Sequence, residues 1–139
     1  MTALSADRAT PERDGKCFSF PVKAGKKIFT GALVVLATGY AEPGATALNL
    51  LAVGRAEEPV DNSGGADGDV NVEVRAGCFR YANSAGADLI AETDIGASAY
   101  IVDDQTVAKT DGGGTRSKAG TIIDVDPQGV WIGLGLLHP

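Results

Sequence analysis

Acidic and amide side chains are concentrated between Asp67 and Glu73, and their oxygens are the ligands that Ca²⁺ prefers. An EF-hand loop needs glycine at its sixth position and glutamate at its twelfth. Counted from Asp67, those positions hold Val72 and Cys78. The spacing therefore does not predict a calcium site, and we expect the chain to bind no metal ion and no other cofactor.

A second acidic pair, Asp124 and Asp126, lies two positions apart in an apolar run, so both carboxylates should project from one face of a strand. Paired carboxylates perform general acid–base catalysis in glycoside hydrolases. Charges at the rim of a sheet explain the pair equally well, since no other polar group is placed to assist.

The glycine run at 112–114 could suggest a phosphate loop, but it lacks the Gly-Lys-Ser/Thr ending of that motif. We expect a flexible hairpin tip there.

Histidine and cysteine chemistry is scarce in this sequence. The single histidine, His138, would have to fold inward to give any serine the base of a catalytic triad. The two cysteines, Cys17 and Cys78, match no metal or redox spacing, and we expect two buried or half-buried free thiols. Because no catalytic signature remains, the sequence predicts a structural or binding protein rather than an enzyme, with no small-molecule substrate.

The composition excludes further classes of partner. Among the 139 residues are 12 basic and 18 acidic ones, so the formal net charge is −6. A phosphate binder normally carries a basic face, and we expect no nucleic-acid partner. The longest apolar stretch, residues 31–37, is far shorter than the ~20 residues of a membrane span. Residues 1–13 contain no apolar run typical of a signal peptide. We therefore expect no membrane partner and a chain kept in the cytoplasm in which it is made.

Nineteen glycines and six prolines interrupt the chain, which favours short strands joined by turns over long helices. The strongest strand signal is VNVEVR at 70–75, where valines alternate strictly with polar residues. Ala76-Gly77 predicts a corner before the next strand at 78–81, and residues 39–44 predict a turn. Further strands are predicted at 17–20, 33–36, 48–53, 97–102, 106–108, 121–126 and 130–136. The pattern predicts an all-β fold, a small β-barrel or sandwich of short strands.

The N-terminal end differs from the rest. Residues 1–15 lack apolar periodicity and end at a turn signal, so we predict an extended N-terminal arm (1–15) before a single β domain (16–139). Residues 1–27 carry a charge of +3 and residues 28–139 a charge of −9. At the other end, Trp131 has only Gly133 and Gly135 on its own strand face. It is either an ordinary core tryptophan or the anchor of a subunit interface.

Long stretches of the sequence resemble a known family. They include TALSADRATPERDG at 2–15, VKAGKKIFTGALVVL at 22–36, AVGRAEEPVDNS at 52–63 and VEVRAGCFRYANS at 72–84. Two more are IGASAYIVDDQTVA at 95–108 and GTIIDVD at 120–126. Together they resemble the small capsid decoration, or head cement, proteins of Mu-like tailed bacteriophages and prophages. The matching stretches are framework strands and turns, not catalytic signatures.

The resemblance implies a β-rich structural virion protein. Such a protein is made in the host cytoplasm, binds the outer surface of the expanded head as a homotrimer, and stabilises contacts between major capsid protein subunits. The capsid contacts would come from the arm and the first strand, and the subunit interface from the last strand. The expected capsid-contact residues are Arg8, Pro11, Arg13, Lys16, Phe18 and Phe20, and the expected interface residue is Trp131. The alternative is a virion-surface adhesion or carbohydrate-binding module, although the sequence has no aromatic cluster.

Overall fold

The computed structural model describes residues 2–13 and 15–136, and its regular structure is almost entirely strand. His138, considered above as a base, lies outside the described residues. The strands in the described residues are β1 (Cys17–Pro21), β2 (Lys27–Ile28), β3 (Leu33–Ala37), β4 (Tyr40–Pro43), β5 (Leu51–Ala56), β6 (Val60–Asp61), β7 (Asn71–Arg75), β8 (Gly77–Tyr81), β9 (Ser98–Ile101), β10 (Val107–Ala108), β11 (Lys118–Asp126) and β12 (Gly129–Leu134). Two single 3₁₀ turns cover Gly86–Asp88 and Glu92–Asp94.

The strands form two five-stranded antiparallel sheets and a two-stranded ribbon. The first sheet has the order β1-β7-β5-β3-β4 and the second the order β10-β9-β11-β12-β8, while β2 and β6 form the ribbon. The all-β prediction is confirmed, and of the two architectures expected, the sandwich fits. The chain passes from the first sheet to the second at Ala76, between β7 and β8. The corner predicted at Ala76-Gly77 is therefore confirmed.

The first sheet is buried on both faces over β3. Leu33 and Val35 belong to a core between the two large sheets, whereas Val34 belongs to a core on the opposite face of the first sheet. Neighbouring side chains of a strand point to opposite faces, so an uninterrupted apolar run is what a doubly buried strand requires. Ile28 of β2 is buried in the core on the opposite face, and Val60 of β6 packs against it.

We call these two clusters the inter-sheet core and the ribbon core. The inter-sheet core consists of Leu33, Val35, Ala52, Tyr81, Ile90, Ala99, Ile101, Val107, Ala119, Ile122, Val130, Ile132 and Leu134. The ribbon core consists of Val22, Ile28, Ala32, Val34, Ala41, Val53, Ala56, Val72 and Val74. Arg55 of β5 links the two sheets, because its guanidinium lies 4.2 Å from the ring centroid of Phe79 on β8.

Two sequence predictions of turns and strands were wrong. Residues 40–43, predicted within a turn, form β4, and the turn lies just before them. Thr38 and Gly39 have φ values of 51° and 89°, and positive φ at two successive residues is typical of a tight type I′ hairpin. The strand predicted at 48–53 begins only at Leu51. Asn49 has a φ of 63°, which is incompatible with extended backbone, so the strand cannot include residues 48 and 49.

Candidate functional site

The candidate site begins with the N-terminal arm. Residues 2–13 are exposed along their whole length and contain neither helix nor strand. Within this segment the Thr10 amide donates to the carbonyl of Arg8, and Pro11 is exposed. The guanidinium of Arg13 lies 5.4 Å from the ring centroid of Phe18, a cation–π contact between the arm and the β domain. The predicted arm residues are therefore accessible to a partner.

The base of the arm is fixed by the two phenylalanines of β1. Phe18 and Phe20 pair with Val74 and Val72 of β7, so all four side chains share one face. Their rings stack at a centroid distance of 6.2 Å and pack, half-buried, against the ribbon core. The alternation of CFSF in the sequence thus directs both phenylalanines to the ribbon core at the point where the arm joins the β domain.

The outer edge of β1 is open for pairing over its first half, residues 17–19. Beyond β1 that edge is covered by β4, because Val22 is bridged to Ala41 and the Lys23 amide donates to the Ala41 carbonyl. Among the described strands, β7 is the one paired with β1, and β1 ends the first sheet. The Ala76 amide donates to the Lys16 carbonyl and the Val22 amide to the Val70 carbonyl. In an antiparallel ladder these bonds recur at every second residue, so the backbone groups of Ser19 point away from β7. Pro21 has the same orientation, which an edge strand tolerates because proline has no N–H to leave unpaired.

The positive charge of the N-terminal region lies mainly in the β domain. The arm (1–15) contains two basic and three acidic residues, whereas residues 16–27 contain four lysines and no acid. Lys16 lies at the base of the arm, and Lys23, Lys26 and Lys27 follow the far end of β1. The basic surface expected at the arm is therefore confined to Arg8, Arg13 and Lys16, with acids interspersed.

The acidic loop that superficially resembles a calcium site is tied to the backbone. Asp67 accepts the Ala24 amide at 2.8 Å and Asp69 accepts the Ala66 amide at 2.9 Å. The buried Asn62 donates from Nδ2 to the carbonyls of Val22, Lys23 and Ala66 at distances of 2.9–3.2 Å. These side chains hold the loop against the ribbon core. In the described part of the chain, no three His, Cys, Asp or Glu side chains come together as metal ligands would.

The glycine-rich tip at 112–114 is also held by structural contacts. Arg116 donates to the carbonyl of Thr110 at 3.0 Å and lies 3.2 Å from the carboxylate of Asp88. The pKa of Asp88 is lowered by the hydrogen bond from the Thr110 hydroxyl and by Arg116. The cation next to the glycines therefore already has an anionic partner within the fold.

Trp131 lies on the outer face of the second sheet and is half-buried, so the core alternative for it was wrong. Its indole N–H donates to Asp126 Oδ2 at 2.8 Å, and the Arg80 guanidinium lies 5.5 Å from its ring centroid. Asp126 also accepts the amides of Gln128 and Gly129. The pKa of Asp126 is lowered, first by the hydrogen bond from Trp131. This carboxylate is committed to the hairpin, and the expected interface residue is accessible.

The two cysteines are free, as predicted, but both are exposed rather than buried. Cys17 alternates with Phe18, which takes the buried side of β1, and Cys78 lies opposite Gly133 on the outer side of the second sheet. Partial desolvation, followed by the charge of Asp124, raises the pKa of the Cys78 thiol. The thiol is therefore held in its protonated, less nucleophilic form.

Sequence reasoning missed the exposed aliphatic side chains, because a leucine in an apolar run is normally assigned to a core. An apolar groove of about 260 Å³ is lined by Leu51 of β5, Lys118 of β11 and Leu136 after β12. Leu136 was predicted within the last strand, at 130–136, but β12 ends at Leu134 and Leu136 is 40% exposed. A separate exposed leucine, Leu89, follows the first 3₁₀ turn.

No protein-family model, curated protein or solved structure matches this chain. Among the described residues, no helix is long and apolar enough to cross a membrane.

Proposed function

We propose that this chain is a capsid decoration protein of a tailed bacteriophage. It binds the outer surface of the expanded head and stabilises contacts between major capsid protein subunits. It acts by binding rather than catalysis, and it takes up no cofactor, nucleic acid or membrane. It is made in the host cytoplasm and resides on the virion surface.

The observation that carries this proposal is the exposed arm leading into an edge strand. Arg8, Pro11 and Arg13 are exposed, and Phe18 and Phe20 anchor the strand to the ribbon core. An extended segment that leads into a strand edge open over residues 17–19 can add to a sheet of a partner, with main-chain hydrogen bonds providing the affinity. Each exposed ion pair would contribute only about 0–1 kcal/mol, so repeated copies on the shell must provide the hold through avidity.

The direct test is a pelleting assay with purified protein and undecorated heads of the phage that encodes it. We expect saturable binding to expanded heads and none to unexpanded proheads. Deletion of residues 1–14 should leave a folded β domain that no longer pellets with heads, whereas an arm of the same composition in scrambled order serves as the control for length and charge. Undiminished binding after deletion would exclude the arm, and no binding to either shell would exclude the capsid role in favour of adhesion.

A proline substitution tests the strand edge separately from the arm. In Ser19→Pro the lost N–H points away from β7, so the ladder to β7 keeps its hydrogen bonds and the protein should fold. We expect head binding to fall at least tenfold. The matched control is Lys23→Pro, which removes an amide that bonds the Ala41 carbonyl within the fold and should lower stability instead. Full head binding by Ser19→Pro would exclude pairing at this edge.

We further propose that the protein is a homotrimer with Trp131 at the subunit interface. The support is its place on the outer face of the second sheet, where the half-buried ring has Gly133 as its neighbour along the strand and Arg80 across from it. Dilution to monomer should shift the Trp131 emission to longer wavelength as the ring becomes hydrated. An unchanged spectrum across the dissociation transition would place Trp131 outside the interface. The alternative sugar-binding role is disfavoured because Asp126 occupies the indole N–H and Arg80 covers the ring.

A further inference from the structure

The apolar groove lies between the two large sheets, where β5 of the first sheet and β11 of the second sheet begin. Its walls are formed by residues 50–52, 118–120 and 135–136. Ala52 and Ala119 in the lining belong to the inter-sheet core, so the groove opens directly onto that core. Leu51 at its rim is 53% exposed and Leu136 is 40% exposed. The exposed apolar surface of both leucines borders one groove, which is of a size to receive a single apolar side chain from a partner.

We propose that this groove receives the tip of the N-terminal arm, residues 2–6, from a second copy of the chain. Leu4 is the one large aliphatic residue in 2–15, and it is 74% exposed. The residues on either side of it are small and uncharged, TALSA in sequence. A single leucine in a neutral, extended segment fits a narrow groove lined by leucine, alanine and glycine.

Charge and reach agree with this occupant. Asp7 follows the neutral tip directly, and Lys118 stands in the groove wall. Within the described residues neither side chain forms an ion pair, so the two are available to pair between copies. The chain from Leu4 to Cys17 spans up to about 45 Å when extended, enough to reach a neighbouring subunit. Among the hydrogen bonds, ion pairs and cation–π contacts of residues 2–13, the one that reaches the β domain is the Arg13–Phe18 contact, and residues 2–6 take part in none of them.

This inference rests on the proposed self-association and not on head binding, because the arm base and the arm tip would have different partners. The arm base, from Arg8 to Phe20, faces the capsid in the proposed function. The tip, residues 2–6, links neighbouring copies. The contact can therefore be tested on the purified full-length chain in the absence of any head.

Engineered cysteines locate the contact. In a Cys17→Ser/Cys78→Ser background, one chain carries Leu4→Cys and a second, tagged chain carries Leu51→Cys. After mixing and oxidation, we expect a disulfide between the two chains in at least tenfold higher yield than with Leu89→Cys, whose parent leucine is equally exposed at 50% but lines another cleft. Equal yields would overturn the proposal. So would a chain carrying both Leu4→Cys and Leu51→Cys that closes only on itself at every concentration.

Sedimentation across a concentration series measures the energetic weight of the contact. Leu4→Asp and Leu51→Asp should each weaken self-association by about tenfold to a hundredfold, the effect of losing one buried leucine. Leu89→Asp should leave it unchanged. Asp7→Lys should weaken it by a smaller factor, and Asp7→Lys combined with Lys118→Asp should recover it.

The outcomes separate the two proposals. Self-association that persists unchanged in Leu4→Asp and Leu51→Asp would overturn the arm-tip contact and leave the homotrimer intact. A wild-type chain that is monomeric at every concentration would overturn both, while head binding is decided independently by the pelleting assay.

Discussion

The inter-sheet core and the ribbon core differ in both composition and closure. The inter-sheet core contains six fully buried isoleucine and leucine side chains, Leu33, Ile90, Ile101, Ile122, Ile132 and Leu134. The ribbon core has Ile28 as its large aliphatic residue among five valines and three alanines. It is completed at the surface by the half-buried Phe18 and Phe20. The first core is enclosed by two broad sheets, whereas the second extends to the surface where the arm begins.

This difference indicates which core is coupled to the candidate site. A force on the arm acts on β1 and reaches the ribbon core through the Phe18 and Phe20 rings. The inter-sheet core is separated from β1 by the full thickness of the first sheet. Changes in the ribbon core should therefore affect the arm base before they unfold the protein, while changes in the inter-sheet core should mainly lower global stability.

The largest expected effect comes from the same substitution made once in each core. Ile132→Ala should lower the free energy of unfolding by about 4 kcal/mol, because the two broad sheets cannot collapse around the cavity. Ile28→Ala should cost about 2–3 kcal/mol, because the two-residue strand β2 can move inward. Urea unfolding monitored by circular dichroism gives both values. Equal losses of unfolding free energy in the two variants would contradict the inference that the inter-sheet core is the more completely enclosed of the two.

An asparagine in each half of the molecule allows a second matched comparison. Asn62, 3% exposed, donates to three backbone carbonyls beside the ribbon core. Each of these carbonyls also accepts a backbone amide, so Asn62→Ala should cost about 1–3 kcal/mol through the lost side-chain hydrogen bonds alone. Asn83 bonds the amide and carbonyl of Ile90 beside the inter-sheet core but is half-buried, so Asn83→Ala should cost about 1 kcal/mol. Urea unfolding measures both. We expect trypsin to cleave faster after Lys23 in Asn62→Ala but not in Asn83→Ala, because the loss of Asn62 loosens the chain next to β1. Cleavage of Asn62→Ala at the wild-type rate would contradict this local effect.

Removal of one phenylalanine tests the coupling between the ribbon core and the arm. Phe18→Ala should cost about 1–2 kcal/mol, less than a fully buried ring, because the side chain is half-buried. It should also free Arg13, which stacks on the ring. Head binding should therefore fall more than in Phe79→Ala, a half-buried phenylalanine of the inter-sheet core that is the control. Equal binding by the two variants would show that the arm base does not depend on the ribbon core.

The sequence was sufficient to predict the all-β class and most strands, because alternation and apolar runs reflect burial directly. VNVEVR predicted β7 almost to the residue, and LVVL predicted a buried strand. β4 was missed because Glu42-Pro43 is typical of a turn. The turn instead lies at Thr38 and Gly39, whose positive φ values the sequence pattern did not reveal. The accessibility of Trp131 and the groove beside Leu51 depend on which sheet covers which face. That is set by long-range packing, which local sequence patterns do not encode.

The smallest expected effect concerns the outer face of the second sheet, on the side opposite the inter-sheet core. The hydrogen bond from the Trp131 indole holds the pKa of Asp126 below its ordinary value of 3.8. A carboxylate with a lowered folded-state pKa contributes stability at pH values above its unfolded-state pKa, and this contribution is lost as the pH falls through the folded-state value. Trp131 fluorescence should therefore titrate with a midpoint below pH 3.8. In Asp126→Asn the indole still has a hydrogen-bond acceptor, but the acceptor carries no charge, so that transition should disappear.

A midpoint above 3.8 would show that the hydrogen bond from the indole does not favour the ionised carboxylate of Asp126. Because neither core packs against Asp126, unfolding in urea at neutral pH should change far less in this variant than in Ile28→Ala.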